Sequence, residues 1–233
     1  TISPYVPPTE PGPTTPIPTP GNDLIFLGVD GGTVLAGAGY DTVVGLSAPD
    51  VIYGNTGDDS LSGGGGDDLI RGGQGADFVQ GNTGDDLIFG DIGEDTIHGG
   101  QGDDIIQGNT GNDYVSGDLG NDTVLGGQGD DVVLGGAGDD YVSGDLGNDI
   151  LSGGTGADLF NFSGGAGYDV VTDFSRAEGD HIRISPNDAA DFSALSSHIT
   201  SLGTNTVIAL GAQTVILIGV SAGSLTAADF VFA

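Results

Sequence analysis

An aspartate recurs at every ninth residue of this chain over fourteen consecutive blocks, from Asp41 to Asp158. A glycine stands two residues before each of these aspartates, except that Ala48 precedes Asp50, and an apolar residue stands two residues after each. Such a period requires each block to be one small structural unit, and every unit brings one carboxylate to an equivalent place. The chain must therefore fold as a repeat structure.

Each block combines a glycine-rich turn with a short apolar run, as in the nonapeptide at residues 72–80. Glycine permits the positive φ angles of tight turns, and the three residues that follow, such as Asp86-Leu87-Ile88, predict a very short strand. Strand side chains alternate, so the apolar eighth residue points inward. Turn, strand, turn, strand gives a coil of two blocks, and successive coils pair as parallel strands. Sixteen blocks from residue 18 predict eight coils and a rod of about 38 Å, at about 4.8 Å per strand.

Residues eighteen positions apart should stack on the same edge of this coil, so that Asp59 lies over Asp77 and Asp68 over Asp86. Like charges about 5 Å apart repel one another. A hard cation takes six to eight oxygen ligands, and carboxylates together with turn carbonyls would supply them and remove the repulsion.

The block Gly-Gly-Gln-Gly-Ala-Asp-Phe-Val-Gln at residues 72–80 resembles the calcium-binding nonapeptide of the RTX family of secreted bacterial proteins. The resemblance covers residues 18–172, and it implies an all-β, calcium-stapled parallel β-roll. It also implies that several Ca²⁺ ions are held between consecutive turns of one edge by the sixth-position aspartates and by backbone carbonyls. The implied ligands are Asp41, Asp50, Asp59, Asp68, Asp77, Asp86, Asp95, Asp104, Asp113, Asp122, Asp131, Asp140, Asp149 and Asp158, together with Asp169 of a last block that is out of phase.

The fifth position of several blocks is also acidic, and two interpretations of these residues stay open. They are either further ligands or a solvated acidic surface. The residues concerned are Asp58, Asp67, Asp85, Asp103, Asp130 and Asp139.

The charge balance supports a chain that depends on calcium. There are 34 acidic residues, three arginines and no lysine, for a formal charge of −31, and 47 residues are glycine. Self-repulsion and glycine entropy should keep the chain disordered in calcium-poor cytoplasm, and binding free energy would become folding free energy outside the cell. The acidity argues against nucleic-acid binding, and no run of eighteen apolar residues predicts a membrane span.

Catalysis is not expected, because the sequence contains no H-E-x-x-H motif, no G-x-S-x-G motif and no cysteine. Its three histidines are scattered. His98 should point outward from a strand, and His181 should pack in a C-terminal cap.

Three regions are predicted. Residues 1–20 hold eight of the ten prolines and form a Pro/Thr-rich linker or arm. Residues 21–161 form the RTX β-roll, whose first, degenerate blocks serve as its N-terminal cap. Residues 162–233 form a capping β region with a hairpin or small sheet around Gly211, and the tail 225–233 resembles the signal read by type I secretion machinery.

An outward apolar row on one sheet suggests a surface for self-association, although ordinary β-propensity also explains it. Its members are Leu69, Leu87, Ile105, Tyr141 and Leu159, with Phe89 and Leu125 beside them. Two functions follow. The first is an extracellular or cell-surface structural protein that assembles into a layer, filament or matrix. The alternative is the calcium-dependent secretion and folding module of a larger secreted protease, lipase, toxin or adhesin.

Overall fold

The computed structural model describes residues 19–233, which form a parallel β-solenoid of two facing sheets. Successive blocks alternate between the sheets, so that one sheet has the strand order β1-β3-β5-β7-β9-β11-β13-β15-β17-β21-β20-β19 and the other β2-β4-β6-β8-β10-β12-β14-β16-β18-β22. This arrangement confirms the predicted parallel β-roll with two nonapeptides per coil. The predicted arm lies outside the described residues up to residue 18, and Thr19 forms a parallel bridge to Gly37.

The strands of the first sheet are β1 (Leu24–Phe26), β3 (Thr42–Val44), β5 (Ser60–Gly65), β7 (Phe78–Thr83), β9 (Thr96–Gln101), β11 (Tyr114–Leu119), β13 (Val132–Ala137), β15 (Ile150–Thr155), β17 (Gly167–Val171), β19 (Ile199–Leu202), β20 (Asn205–Leu210) and β21 (Gln213–Leu217). The second sheet contains β2 (Thr33–Ala38), β4 (Val51–Thr56), β6 (Leu69–Gln74), β8 (Leu87–Ile92), β10 (Ile105–Thr110), β12 (Thr123–Gln128), β14 (Tyr141–Leu146), β16 (Leu159–Phe162), β18 (His181–Ile184) and β22 (Phe230–Phe232). One α-helix (Phe192–Leu195) and three 3₁₀ turns (Ser196–His198, Ala222–Ser224 and Ala227–Asp229) complete the elements of residues 19–233. Within the described part of the chain, no helix is long and apolar enough to cross a membrane.

Strand register follows the eighteen-residue spacing predicted from the repeat. Leu69 pairs with Leu87, and Leu87 pairs with Ile105. The strands, however, are six residues long in most blocks, whereas the sequence predicted three. Because equivalent blocks stack directly on one another, turn residues such as Gly73 and Gln74 also find ladder partners, Asp91 and Ile92 in the next coil.

The core is a single file of eighth-position side chains on each sheet. All are at most 1% exposed, as the alternation predicted: Val43, Ile52, Leu61, Ile70, Val79, Ile88, Ile97, Ile106, Val115, Val124, Val133, Val142, Leu151 and Phe160. A core this thin has few side-chain contacts to stabilise it, so the edges of the coil must contribute to stability.

Parallel stacking continues beyond the regular repeats, through β17 and β21 in the first sheet and through β18 and β22 in the second. The roll therefore has more layers than the eight coils predicted. The expected hairpin is present, because β20 and β21 pair in antiparallel fashion on either side of Gly211. The C-terminal strand β22 is part of the sheet, and Arg176 forms an ion pair with the buried Asp229 just before it.

Candidate metal centre

The sixth-position aspartates form two columns, one on each edge of the roll, and each column follows the eighteen-residue spacing. In every case Oδ1 accepts a hydrogen bond from a backbone N–H eighteen residues earlier, as in the bond from Asp41 to Asp59. The N···O distances for the fourteen residues are 2.6–3.0 Å. One carboxylate oxygen of each aspartate is therefore committed to joining successive coils.

The second oxygen, Oδ2, is buried and has no hydrogen-bond partner in any of these fourteen aspartates. The residues are Asp41, Asp50, Asp59, Asp68, Asp77, Asp86, Asp95, Asp104, Asp113, Asp122, Asp131, Asp140, Asp149 and Asp158. Each is only 1–3% exposed. A buried carboxylate oxygen without a partner is costly, and fourteen of them in equivalent positions indicate one missing partner that repeats along both columns.

A small space lies beside thirteen of the fourteen orphaned oxygens, where the first residue of the block is glycine. A Cβ atom on Gly54 would lie 2.4 Å from Asp59 Oδ2 and 2.4 Å from the carbonyl oxygen of Gly72 in the next coil. At Gly108 the corresponding distances are 2.4 Å to Asp113 Oδ2 and 2.6 Å to the Gly126 carbonyl oxygen. Any side chain at these positions would fill a space into which a carboxylate and a carbonyl oxygen both point.

Burial raises the pKa of the repeat carboxyl groups from Asp50 to Asp158 above 3.8, because the ionised form loses its hydration. The pKa rises to about 7 at Asp68, Asp95, Asp104, Asp131 and Asp149. It rises to about 6 at Asp59, Asp77, Asp86, Asp122, Asp140 and Asp158. Hydrogen bonds from the backbone oppose this rise, and in most of the series neighbouring carboxylates add to it. A bound cation would favour the ionised form and reverse the direction.

The donor set is suited to a hard cation such as Ca²⁺, because only carboxylate and carbonyl oxygens line the space. Among residues 19–233, no three His, Cys, Asp or Glu side chains cluster closely enough to hold an ion by themselves. Backbone carbonyls must therefore supply much of any coordination shell, and the stacked turns provide them.

Two of the predicted ligands have different surroundings. Asp169 is 1% exposed, but its Oδ2 accepts a hydrogen bond of 2.8 Å from the side-chain amide of Gln213, so no oxygen is left open there. Asp41 retains an open Oδ2, but Ala36 stands where later blocks have glycine and is itself 1% exposed. The methyl group of Ala36 takes up part of the space that the other sites leave free.

The fifth-position residues form a second ladder on the exposed side of the turns. Oδ1 of Asp85 accepts a hydrogen bond of 2.9 Å from the backbone N–H of Asp103, and Oδ1 of Asp103 accepts one of 2.8 Å from that of Asn121. Asp58, Asp67, Asp130 and Asp139 make the same type of contact with the next coil. These carboxylates are solvated and also join the coils, which favours the surface interpretation over further ligands.

The second position of every block between Gly54 and Gly154 has a positive φ angle, a conformation that was not predicted from the sequence. Asn82 has a φ of 81° and Asp91 a φ of 77°, and the equivalent residues Asn55, Asn109, Asp118 and Asp145 are also left-handed. Glycine, asparagine and aspartate tolerate this region best, which explains their alternation at this position. The signal was present in the sequence as a restriction of residue type.

Two of the histidines, His98 and His181, lie on the outer faces of the sheets. His98 points outward as predicted, lies between Phe78 and Tyr114, and contacts Asp118 through Nδ1 at 3.1 Å. The prediction for His181 was wrong, because this side chain is exposed on β18 while Ile182 takes the inward position.

Outward apolar residues occur on both sheets, whereas the sequence analysis identified a row on only one. Ile105 is 51% exposed on the second sheet, while Phe78 and Ile150 are 40% and 46% exposed on the first. A preference for apolar residues at this strand position therefore applies to the whole roll, in agreement with β-propensity.

Comparison with known families agrees with the geometry of the repeats. A family model described as the RTX calcium-binding nonapeptide repeat matches at residues 35–70, 44–79, 63–97, 71–106, 89–124, 98–133 and 125–160, which together span more than half of the chain. The chain belongs to the RTX calcium-binding nonapeptide repeat family. The matched residues thus contain all fourteen aspartates whose Oδ2 has no partner.

Two solved structures are similar to the RTX roll. The extracellular lipase LipA from Serratia marcescens is 22% identical with a TM-score of 0.35, over 82% of this chain and 40% of the lipase chain. The AlgE6R3 subunit of the Azotobacter vinelandii mannuronan C5-epimerase is 30% identical with a TM-score of 0.37, over 60% of this chain and 78% of that chain. This chain thus spans less than half the length of the lipase. No curated protein matched it.

Proposed function

We propose that this RTX chain is an extracellular calcium-binding module that acquires its β-roll when calcium binds after export, and that it has a structural rather than a catalytic role. The observation that carries the proposal is the set of fourteen buried Oδ2 atoms without a partner, which lie in two columns. Without a cation the roll would hold these charges at low exposure, next to glycine carbonyls, in a chain with a formal charge of −31.

Three groups of each block have separate roles at the site. Oδ1 of the sixth-position aspartate fixes the register with the preceding coil. Oδ2 points toward the space beside the first-position glycine, and the glycine carbonyl of the following coil points there as well. Calcium, when bound, supplies the positive charge that the buried carboxylates lack. Extracellular calcium modules bind with dissociation constants of about 0.1–1 mM. Such sites would be empty in the calcium-poor cytoplasm and filled outside the cell.

A calcium titration followed by far-UV circular dichroism tests the proposal. We expect a disordered spectrum in excess chelator and a β spectrum in millimolar calcium, with a steep transition because many ions bind. Magnesium is the control, since it demands small octahedral sites and dehydrates reluctantly, and it should restore little structure. A full β spectrum in excess chelator at neutral pH would overturn the proposal.

Assembly through the outer apolar side chains, which the sequence suggested, remains a proposal of its own. Exposed apolar residues on both faces support it. Light scattering after gel filtration, and negative-stain electron microscopy in calcium and in chelator, test it. Ordered filaments or layers that form only in calcium are expected, and monodisperse short rods would contradict assembly.

The second candidate, a module of a larger secreted protein, is favoured by the N-terminal end of the roll. Leu24 and Phe26 lie on the outer side of β1 and are 65% and 66% exposed. Apolar side chains of this size at the end of a solenoid suit contact with a preceding domain. Intact mass measurement of the natural secreted product tests this candidate, since a mass well above 23.0 kDa is expected for a larger protein.

A further inference from the structure

Both aspartate columns continue for one step beyond the fourteen open sites. The backbone N–H of Asp149 donates to Asp169 Oδ1 at 3.2 Å, and that of Asp158 donates to Asp180 Oδ1 at 3.2 Å. Asp169 is 1% exposed and Asp180 is 5% exposed. These two residues therefore occupy the same structural position as the repeat aspartates, although the sequence period has ended.

The difference lies in their second oxygens, which receive hydrogen bonds from the protein. The Gln213 amide Nε2 donates to Asp169 Oδ2 at 2.8 Å, and the backbone N–H of Ser175 donates to Asp180 Oδ2 at 2.7 Å. In the fourteen repeat aspartates the same oxygen has no partner. The columns therefore end at Asp169 and Asp180, where an N–H donor contacts the oxygen that would bind a cation in the repeats.

Gln213 is placed for this role by the C-terminal hairpin. It is the first residue of β21, is paired with Gly167 of β17, and is only 4% exposed. A Cβ atom on Gly165 would lie 2.4 Å from its Nε2, so the amide fills the space beside this turn. A carboxylate oxygen has two lone pairs, so the hydrogen bond alone does not exclude a cation. The amide group excludes it by occupying the space next to Asp169 Oδ2.

We propose that Gln213 terminates the cation column that begins at Asp41, by supplying an amide donor in place of an ion at Asp169. Calcium binding is thereby confined to the repeat blocks, and the junction between the repeats and the C-terminal strands is closed without an ion. This inference rests on the proposed calcium-binding function.

The test compares calcium stoichiometry in Gln213→Glu and Gln213→Ala with the full-length wild type. The first variant replaces the donor with a carboxylate of nearly the same shape, and the second removes the donor and leaves space. Gln101→Glu is the matched control, because it adds the same charge at an exposed third-position side chain. Bound calcium is counted by equilibrium dialysis at saturating calcium, and folding is checked by circular dichroism.

We expect each folded Gln213 variant to bind one more calcium ion than wild type, and the control to bind the same number as wild type. Because Gln213→Glu concentrates two carboxylates and is the variant more prone to misfold, Gln213→Ala decides the question if only that variant folds. An unchanged count in the folded variants overturns the role of Gln213. A wild type that binds no calcium would instead overturn the proposed function, so the two failures are distinguishable.

Discussion

Replacing Asp104 with asparagine should raise the stability of the calcium-free roll and reduce the stability gained from calcium. Asp104 is 1% exposed, its Oδ1 accepts the backbone N–H of Asp86 at 2.8 Å, and its Oδ2 is open. Asparagine keeps the oxygen that holds Asp86. Its amide nitrogen takes the position of Oδ2, where it can donate to the Gly117 carbonyl oxygen, the other oxygen beside Gly99.

The magnitude in the absence of calcium follows from the pKa of Asp104. Burial raises this pKa from 3.8 to about 7. At about 1.36 kcal/mol for each tenfold change in proton affinity, holding the ionised form above pH 7 costs up to about 4 kcal/mol. The amide removes this cost. The calcium-free variant should therefore be more stable than wild type, with about 4 kcal/mol as the upper bound.

The magnitude in calcium follows from mass action. An ion with a dissociation constant of about 0.1–1 mM contributes about 1.4–2.7 kcal/mol at 10 mM calcium. The stability that the variant gains on adding calcium should be smaller than the wild-type gain by this amount for each ion lost.

Urea unfolding followed by far-UV circular dichroism measures both quantities. Trimethylamine N-oxide at one fixed concentration keeps the chelated proteins folded, since excluded osmolytes favour burial. The matched control is Asp103→Asn, which removes the same charge from the exposed neighbouring residue and keeps its contact with Asn121. Its stability should change by no more than about 0.5 kcal/mol in either condition. An Asp104→Asn variant that is less stable than wild type in chelator would show that the buried charge does not destabilise the calcium-free roll. A variant that gains as much stability from calcium as wild type would show that Asp104 does not bind calcium.

Three further predictions follow from the same geometry. Gly108→Ala should raise the calcium concentration at which half of the protein is folded, because its Cβ fills the space beside an open Oδ2. Gly223→Ala is the control and should leave that concentration unchanged, since nothing lies within 4 Å of a Cβ there. A calcium titration followed by circular dichroism compares the two variants. Ile106→Ala should lower the free energy of unfolding in calcium by about 2–5 kcal/mol, because the Ile106 side chain is fully buried. Ile105→Ala should lower it much less, because the neighbouring Ile105 is 51% exposed. Equal losses in urea unfolding would contradict the assignment of the core. Without calcium, carboxyl groups whose pKa is raised from 3.8 to about 6–7 contribute stability that is present below about pH 4 and is lost as the pH rises through 6–7. The chain in chelator should therefore gain β structure on acidification. Circular dichroism that shows no gain between pH 7.5 and pH 4 would contradict the burial of these carboxyl groups.

The repeating part of the fold was predictable because every block makes the same contacts. An eighteen-residue coil fixes which residues stack, so the inward position of Ile88 and the alignment of Asp68 with Asp86 follow from spacing and strand alternation alone. The length of the strands did not follow from local propensity. Gly73 and Gln74 join the ladder only because equivalent residues in the next coil are already aligned with them.

The ends of the columns could not be predicted from the period. Asp169 has the surroundings of a repeat aspartate in the sequence, yet the donor to its second oxygen is Gln213, which lies 44 residues away and is delivered by a hairpin. Neither spacing nor residue type marks this contact. The inward or outward orientation of His181 likewise depends on the register of β18 with β16, which an irregular connection sets.

Crystals grown in calcium, or with terbium in its place, would locate the bound ions by anomalous diffraction. We expect anomalous peaks about 2.3–2.6 Å from Oδ2 of the repeat aspartates between Asp59 and Asp158, beside the first-position glycines, and no peak at Asp169. Peaks confined to the exposed fifth-position carboxylates, or no peaks along the columns at all, would contradict this expectation.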